Sequence, residues 1–196
     1  MELITSLSNG VCKITFNRPA VYNSFNKTMA MELQKELDRC AHDDEVRTVL
    51  LTGAGKAFCA GQDLAEATDP NGPELESIVR DHYNPIILKI RALGKPVIAA
   101  VNGVAAGAGA NIALACDLTI ATEQASFIQA FSKIGLIPDS GGTYFLPRII
   151  GFQKALGLMF TGDKVSAKEA ESLNMIYKCI SDEEFEDYVI KPVSYT

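Results

Sequence analysis

The sequence of 196 residues contains no tryptophan, only two histidines and no block of lysine or arginine. Its formal net charge is −6, so neither a nucleic acid nor an anionic membrane is expected as the main partner. With so few histidines and no metal-ligand spacing, neither a Ser-His-Asp triad nor a metal site is predicted. The N-terminus has no basic region followed by an apolar core, which predicts no secretory signal.

The cysteine pattern predicts no disulfide framework, because the five cysteines are widely spaced and none forms a Cys-x-x-Cys pair. An odd, scattered set predicts reduced thiols in a cytoplasmic protein. One apolar stretch, residues 97–116, has the length of a membrane span, but it is rich in alanine and glycine and contains two asparagines. It therefore predicts a buried strand, turn and helix within one globular domain that spans residues 1–196.

The order of local patterns predicts an α/β protein with a single core. Asn9-Gly10 between two β-type segments predicts a hairpin, and apolar residues at helical spacing predict a helix over about 27–40. Short apolar runs without alternation are typical of strands covered on both faces, and Ser-x-x-Glu patterns are typical of helix starts. The segments predicted in this way are the hairpin strands 3–7 and 11–16, the buried strands 48–51, 97–101 and 118–121, and the helix starts at Ser166 and Ser181.

Three glycine-containing stretches, residues 58–64, 102–111 and 135–143, are the most distinctive part of the sequence. They do not fit a nucleotide site. The Gly-x-Gly at 107–109 has Ile112 where the dinucleotide fingerprint needs a third glycine, and the stretch 53–57 lacks the upstream glycine and the hydroxyl residue of a phosphate loop.

An oxyanion hole fits these stretches better. A helix that begins near Gly107 would present unpaired N–H groups, and the turn at 60–62 could present another N–H from the opposite side. Two such donors would stabilise a thioester oxygen as it becomes an enolate. The alternative is that these glycines only permit tight turns and close packing.

Asp139 is the candidate acid–base residue. Pro-Asp-x-Gly is an ordinary turn sequence in which the aspartate accepts backbone hydrogen bonds. The neighbouring residues are apolar, however, and desolvation would raise the carboxyl pKa toward the range of a general base. His42 and His82 lie in polar sequence, so both are expected to be exposed and neither is assigned a catalytic role. The apolar neighbours of Asp139 are Ile134, Leu136, Ile137, Phe145 and Leu146.

Taken together, Phe-Cys-Ala-Gly-Gln-Asp-Leu, Val-Asn-Gly-Val-Ala-Ala-Gly-Ala-Gly and Ile-Pro-Asp-Ser-Gly-Gly-Thr resemble the crotonase (enoyl-CoA hydratase/isomerase) superfamily in sequence and spacing. The resemblance runs from residue 14 to residue 176. It implies a ClpP-like spiral of ββα units that acts on an acyl-CoA, with no cofactor beyond the coenzyme A of the substrate. It also implies a homotrimer or a dimer of trimers.

The resemblance also assigns roles by position. The backbone N–H groups of Gln62 and Ala108 would form the oxyanion hole, and Asp139 would carry the proton. The contacts to coenzyme A would fall near Ala20, Tyr22, Ala60, Asp63 and Leu64.

The acids indicate which reaction to expect. Enoyl-CoA hydratases use two glutamates, and the matching positions here are Asn111 and Phe131, which disfavours hydration. One remaining carboxylate, Asp139, can take a proton from one carbon and return it to another, which is isomerase chemistry. The stretches look most like those of the phenylacetate-pathway isomerases, which implies conversion of 1,2-epoxyphenylacetyl-CoA to oxepin-CoA, a shift of 3-enoyl-CoA to 2-enoyl-CoA, or both.

Three alternatives stay open. An enoyl-CoA hydratase is one. A dehalogenase is another, although that class needs a tryptophan and a histidine base that the motifs here lack. The third follows from the end of the chain at residues 191–196, since family members usually continue for several helical turns. The C-terminal helical region is therefore expected to be truncated, and the protein could bind acyl-CoA without turnover.

Overall fold

We describe the protein from a computed structural model, which defines residues 1–190. The expectation of a shortened C-terminal helical region rests on the end of the chain at residues 191–196, which lie outside the described residues. Within residues 1–190, no helix has the length and apolar composition needed to cross a bilayer.

The architecture consists of two sheets with helices packed against them. The larger sheet has six strands in the order β1-β2-β3-β5-β7-β10, and the smaller has four in the order β4-β6-β8-β9. The strands are β1 (Leu3–Ser8), β2 (Val11–Phe16), β3 (Thr48–Gly53), β4 (Ala57–Cys59), β5 (Val97–Val101), β6 (Val104–Ala106), β7 (Leu118–Thr122), β8 (Ser126–Ile128), β9 (Lys164–Ser166) and β10 (Lys178–Ile180).

The predicted hairpin is confirmed. Strands β1 and β2 pair antiparallel with Ser8 opposite Val11, and both turn residues have positive φ, 51° at Asn9 and 82° at Gly10. Two successive positive φ angles define the type of two-residue turn that matches the twist of the strands it joins. Beyond the hairpin, β2, β3, β5, β7 and β10 pair in parallel across the larger sheet.

The predicted spiral of ββα units is also present. In three successive units a strand of the larger sheet is followed at once by a strand of the smaller one: β3 by β4, β5 by β6, and β7 by β8. The helices are α1 (Lys27–His42), α2 (Leu64–Ala67), α3 (Leu75–Ser77), α4 (Asn84–Ala92), α5 (Ala108–Ala115), α6 (Gly142–Ile150), α7 (Phe152–Thr161), α8 (Ala167–Ser172) and α9 (Phe185–Ile190), with a π-helical turn at Ile78–Tyr83 between α3 and α4.

Both faces of the larger sheet are covered, as the unalternated apolar runs predict. On one face, side chains of the sheet join the main core with α1, α4 and α5. On the other face Leu50, Ile98 and Ile120 pack against Phe185 and Val189 of α9. Burial on both faces explains why these strands lack a polar side.

Two local expectations were wrong. Ser181-x-x-Glu184 does not begin a helix at Ser181, because these residues form a turn and α9 begins at Phe185. His42 is exposed, but His82 is only 4% exposed. His82 belongs to the π-helical turn, which packs on α1, where the Gln34 side-chain amide donates to the carbonyls of Asp81 and His82.

Helix α5 approaches strand β4 unusually closely, and a glycine makes this possible. A methyl group on Gly109 would lie 2.3 Å from the carbonyl oxygen of Cys59, whereas a methyl on Gly157, in α7, would meet nothing within 4 Å. We expect Gly109→Ala to lower the free energy of unfolding by about 2 kcal/mol through overpacking. Gly157→Ala should raise it by up to about 1 kcal/mol, since alanine is the better helix former.

Urea unfolding of the two variants tests this packing. Each replaces a glycine inside a helix by the same residue, so a difference between them reports the contact with Cys59 rather than helix propensity. Equal effects of the two substitutions would show that α5 does not depend on that contact.

Candidate active site

A cavity of about 470 Å³ lies where the start of α5, the turn after β4 and the turn before α6 converge. It brings together the three predicted catalytic positions, Gln62, Ala108 and Asp139. The rest of its wall is largely apolar, which suits a carbon chain or ring. The other lining residues are Val21, Ser24, Ala60, Gly61, Asp63, Leu64, Ala65, Ala67, Leu75, Ile78, Tyr83, Gly107, Ala130, Phe131, Ile134 and Leu136.

The five positions predicted to contact coenzyme A divide into two groups. Ala60, Asp63 and Leu64 line the cavity. Ala20 and Tyr22 are exposed at its edge and flank Val21, which does line it. A backbone hydrogen bond connects the two groups, because the Ala60 N–H donates to the Tyr22 carbonyl at 3.0 Å.

The backbone of Phe25 orients the Gln62 N–H. The Phe25 N–H donates to the Gly61 carbonyl at 2.7 Å, and the Asp63 N–H donates to the Phe25 carbonyl at 2.8 Å. Gly61 C=O and Gln62 N–H belong to one trans peptide unit, in which the two bonds point in opposite directions. Holding the carbonyl against Phe25 therefore turns the Gln62 N–H away from Phe25, and Gln62 is one of the residues that line the cavity.

The Ala108 N–H is available for a different reason. Ala108 is the first residue of α5, and the first N–H groups of a helix have no intrahelical acceptor. The preceding Gly107 has φ 53° and ψ −126°, a conformation that is essentially restricted to glycine. The Gly107 N–H donates to the Ile128 carbonyl at 2.9 Å, which fixes this turn to β8.

The two donor turns are in contact. A side-chain carbon on Gly61 would lie 3.0 Å from the Ala106 carbonyl oxygen and 3.6 Å from the Ala108 nitrogen. Gly61 has φ 96°, so both its conformation and its surroundings require glycine. The backbone segments that carry the Gln62 and Ala108 N–H groups therefore lie close together, with no side chain at Gly61 between them, which would suit an oxyanion hole.

Asp139 sits on a turn that is fixed through its backbone. Its carbonyl accepts hydrogen bonds from the Gly142 N–H at 2.8 Å and from the Asn111 side-chain amide at 2.9 Å. Ser140, with φ 49°, and Gly141, with φ 75°, both adopt the left-handed conformation that turns the chain into α6. The carboxylate itself makes no ion pair among residues 1–190 and accepts one hydrogen bond, from the Ser140 hydroxyl at 2.8 Å.

Burial raises the pKa of Asp139 above its usual value, and the hydrogen bond from Ser140 opposes this only in part. The predicted desolvation is therefore confirmed. Asp63, the other carboxylate of the cavity, differs. Burial alone would raise its pKa, but hydrogen bonds from Arg18 at 2.8 Å and from the Ala65 N–H at 2.9 Å outweigh burial and hold the Asp63 pKa below its usual value.

The two positions matched to hydratase glutamates hold no acid. Asn111 is completely buried in α5. Its side-chain oxygen accepts a hydrogen bond from the Gln129 amide at 2.8 Å, and its side-chain nitrogen donates to the Asp139 carbonyl. A side-chain carbon on Gly142 would lie 2.3 Å from the Asn111 amide nitrogen, so this contact also requires a glycine. Phe131 lines the cavity with a hydrocarbon ring. Asn111 thus anchors Asp139, and Phe131 fills the position of the second acid.

Sequence reasoning missed Tyr83, which lines the cavity and is 1% exposed. Its hydroxyl donates to the Gln62 side-chain oxygen at 2.8 Å. Nothing in the local sequence marked it, because it directly follows the polar run Arg80-Asp81-His82 and belongs to no motif. Burial raises the Tyr83 pKa well above the usual value, so the phenol remains protonated.

Outside the cavity, one group of potential metal-ligating side chains lies within residues 1–190: Cys12, Glu36 and Cys40. The Arg39 guanidinium already lies among them, 2.7 Å from the Glu36 carboxylate and 3.2 Å from the Cys12 sulfur. The arginine therefore supplies the cation that this group surrounds.

A spiral of ββα units with two backbone donors and an acid around an apolar cavity defines a crotonase-type protein. The chain belongs to the enoyl-CoA hydratase/isomerase family, whose model matches residues 6–194. It is 49% identical over 191 residues to the 1,2-epoxyphenylacetyl-CoA isomerase of Escherichia coli K12, covering 95% of this chain and 73% of that protein.

Hydratase names occur among the relatives as well. A protein of Rhodobacter capsulatus named a probable enoyl-CoA hydratase is 44% identical over 182 residues, covering 93% of this chain and 70% of the relative. The crystal structure of enoyl-CoA hydratase from Bacillus anthracis matches with a TM-score of 0.90 at 35% identity, covering 97% of this chain and 74% of that one. The fold and family are therefore shown, whereas the reaction must be inferred from the site.

The raised pKa of Asp139 predicts how the fold responds to pH. The folded protein holds this proton more tightly than the unfolded chain, so burying the carboxylate costs stability once pH rises above the ordinary carboxyl pKa of about 3.8. Asp139→Asn should therefore raise the melting temperature at pH 7, because the neutral amide removes the cost of burying a charge. The gain should shrink as pH falls toward 4. A gain that is independent of pH would contradict a buried charge as its cause.

Proposed function

We propose that the protein is an acyl-CoA isomerase in which Asp139 moves a proton between two carbons. The backbone N–H groups of Gln62 and Ala108 hold the thioester oxygen as an enolate between the two transfers. The observation that supports this most strongly is the single unpaired carboxylate of Asp139 in a cavity that both donors line.

With a 3-enoyl-CoA the steps are two proton transfers. The Asp139 carboxylate removes a proton from the carbon next to the thioester, and the electron pair moves onto the thioester oxygen, forming a dienolate. The protonated Asp139 then returns the proton to the far carbon of the former double bond, which leaves a conjugated 2-enoyl-CoA. No atom is gained or lost, so neither water nor a cofactor is required.

The pKa of Asp139 suits this exchange. A higher pKa makes the Asp139 carboxylate a stronger base, so it removes the first proton from the substrate more readily. The base must start ionised, and we therefore expect the rate to rise with pH through the raised pKa of Asp139 and then to level off.

Hydration is the second candidate, because hydratase names occur among the relatives. It needs an acid and a base that hold a water molecule. Asn111 anchors the Asp139 turn, Phe131 is apolar, and Asp63 is committed to Arg18. These contacts favour isomerisation over hydration. Among residues 1–190, the cavity offers no second acid that is free to work together with Asp139.

For the acyl group we propose the 1,2-epoxyphenylacetyl ester, a 3-enoyl ester, or both, on the strength of the isomerase from Escherichia coli at 49% identity. That assignment places the protein in phenylacetate or fatty-acid catabolism. A cytoplasmic homotrimer, or a dimer of trimers, remains our prediction for the assembly, and light scattering of the purified protein would test it.

Removing the acid should abolish turnover. We expect Asp139→Asn to lower kcat for 3-hexenoyl-CoA by at least about 100-fold, because general acid–base catalysis contributes about 10²–10⁴. The 2-enoyl thioester that forms is conjugated, so its ultraviolet absorbance follows the reaction directly.

Crotonyl-CoA is the matched control, since it has the conjugated double bond that a hydratase consumes. Loss of its absorbance with wild-type protein would favour hydration. Equal isomerase activity of wild type and Asp139→Asn would remove Asp139 from the mechanism. Binding of acyl-CoA by folded wild-type protein, with no turnover of enoyl or epoxide substrates, would favour a non-catalytic binder.

A further inference from the structure

Tyr83 makes two contacts that bear on Gln62, one with its side chain and one with Phe25. Its hydroxyl donates to the Gln62 side-chain oxygen at 2.8 Å. Its ring packs edge-on against the ring of Phe25, with 6.0 Å between the centroids. Phe25 is the residue whose backbone holds the peptide unit of the Gln62 N–H, so both contacts bear on the same donor.

The Gln62 side chain is also held at its other end. Its amide nitrogen donates to one oxygen of the half-buried Glu66 carboxylate at 2.9 Å. The other Glu66 oxygen accepts from the Lys27 N–H at 2.9 Å, which ties Glu66 to the start of α1. Tyr83 and Glu66 therefore fix both the oxygen and the nitrogen of the Gln62 amide.

This restraint matters because Gly61 precedes Gln62. Glycine restricts the backbone least, so the orientation of the 61–62 peptide depends on contacts from outside the turn. One contact is the hydrogen bond from Phe25. The Gln62 side chain, held between Tyr83 and Glu66, supplies the other.

We propose that Tyr83 is a positioning residue for the oxyanion hole, which it orders through the Gln62 side chain and the ring of Phe25. The inference rests on the proposed function, because it assumes that the Gln62 N–H holds the thioester oxygen. Tyr83 takes no proton from the substrate in this scheme.

The matched variant is Tyr83→Phe, which keeps the ring on Phe25 and removes only the hydroxyl. Losing an oxyanion donor outright costs about 10²–10³ in kcat, so loosening one should cost less, about 10-fold. KM for 3-hexenoyl-CoA should change by less than about 2-fold. Tyr144→Phe, at an exposed tyrosine outside the cavity, is the control and should match the wild type.

A spectroscopic signature separates positioning from a general loss of stability. Hexanoyl-CoA carrying ¹³C at the thioester carbonyl binds without reacting, and its carbonyl infrared stretch falls in frequency as hydrogen bonds to the oxygen strengthen. We expect the bound ester to absorb at higher frequency in Tyr83→Phe than in the wild type. An unchanged frequency would overturn the proposal.

A double-mutant cycle tests the route through Gln62. Gln62→Met keeps the backbone N–H but can bond neither Tyr83 nor Glu66, so it should lower kcat about as much as Tyr83→Phe. If Tyr83 acts through this side chain, adding Tyr83→Phe to Gln62→Met should have little further effect. Additive losses, or a rise in KM confined to the Tyr83 variants, would show instead that the phenol contacts the acyl group directly.

The outcomes also separate this inference from the proposed function. Wild-type protein that binds hexanoyl-CoA but isomerises no substrate would contradict the function, and the infrared comparison would still test the positioning of Gln62. Isomerisation that Asp139→Asn abolishes and Tyr83→Phe leaves unchanged would support the function and overturn the role of Tyr83.

Discussion

The site depends on one backbone hydrogen bond, from the Phe25 N–H to the Gly61 carbonyl at 2.7 Å. Because the two polar bonds of a trans peptide point in opposite directions, this bond also determines where the Gln62 N–H points. The primary restraint on that donor is thus a backbone contact, and Ala108 likewise owes its free N–H to its place at the start of α5. The proposed oxyanion hole is therefore set mainly by the path of the backbone.

The surrounding fold serves to bring these two backbone segments together. Each ββα unit sends one strand to each sheet, so the turn after β4 and the turn after β6 lie side by side. Close approach is possible because Gly61 and Gly109 have no side chains where α5 meets β4 and its turn. At Gly109 glycine is required by packing, and at Gly61, with φ 96°, the backbone conformation favours it as well, so the two interpretations of the glycine stretches are not exclusive.

Much of the fold could be predicted from sequence, since local rules decide it. The Asn9-Gly10 hairpin, helix α1 and the doubly covered strands all follow from turn chemistry and periodicity. The failures have local causes too. Ser181 and Glu184 bond one another within a turn, and His82 is buried because its π-helical turn packs on α1, a contact that its polar sequence does not reveal.

The site was predictable only in part. Asp139, Gln62 and Ala108 lie on motifs, so spacing and resemblance located them. Tyr83 lies on no motif, and the positioning role proposed for it rests on a contact across 21 residues of sequence with Gln62. The anchoring role of Asn111 likewise depends on a contact with the Asp139 turn, which no local pattern reveals.

A crystal structure of the protein with hexanoyl-CoA would test the central claim most directly. The account predicts the thioester oxygen within about 3 Å of both the Gln62 and Ala108 nitrogens, with the carbon next to the thioester facing the Asp139 carboxylate. A thioester oxygen bound elsewhere, or an acyl chain outside the cavity and away from Asp139, would contradict it.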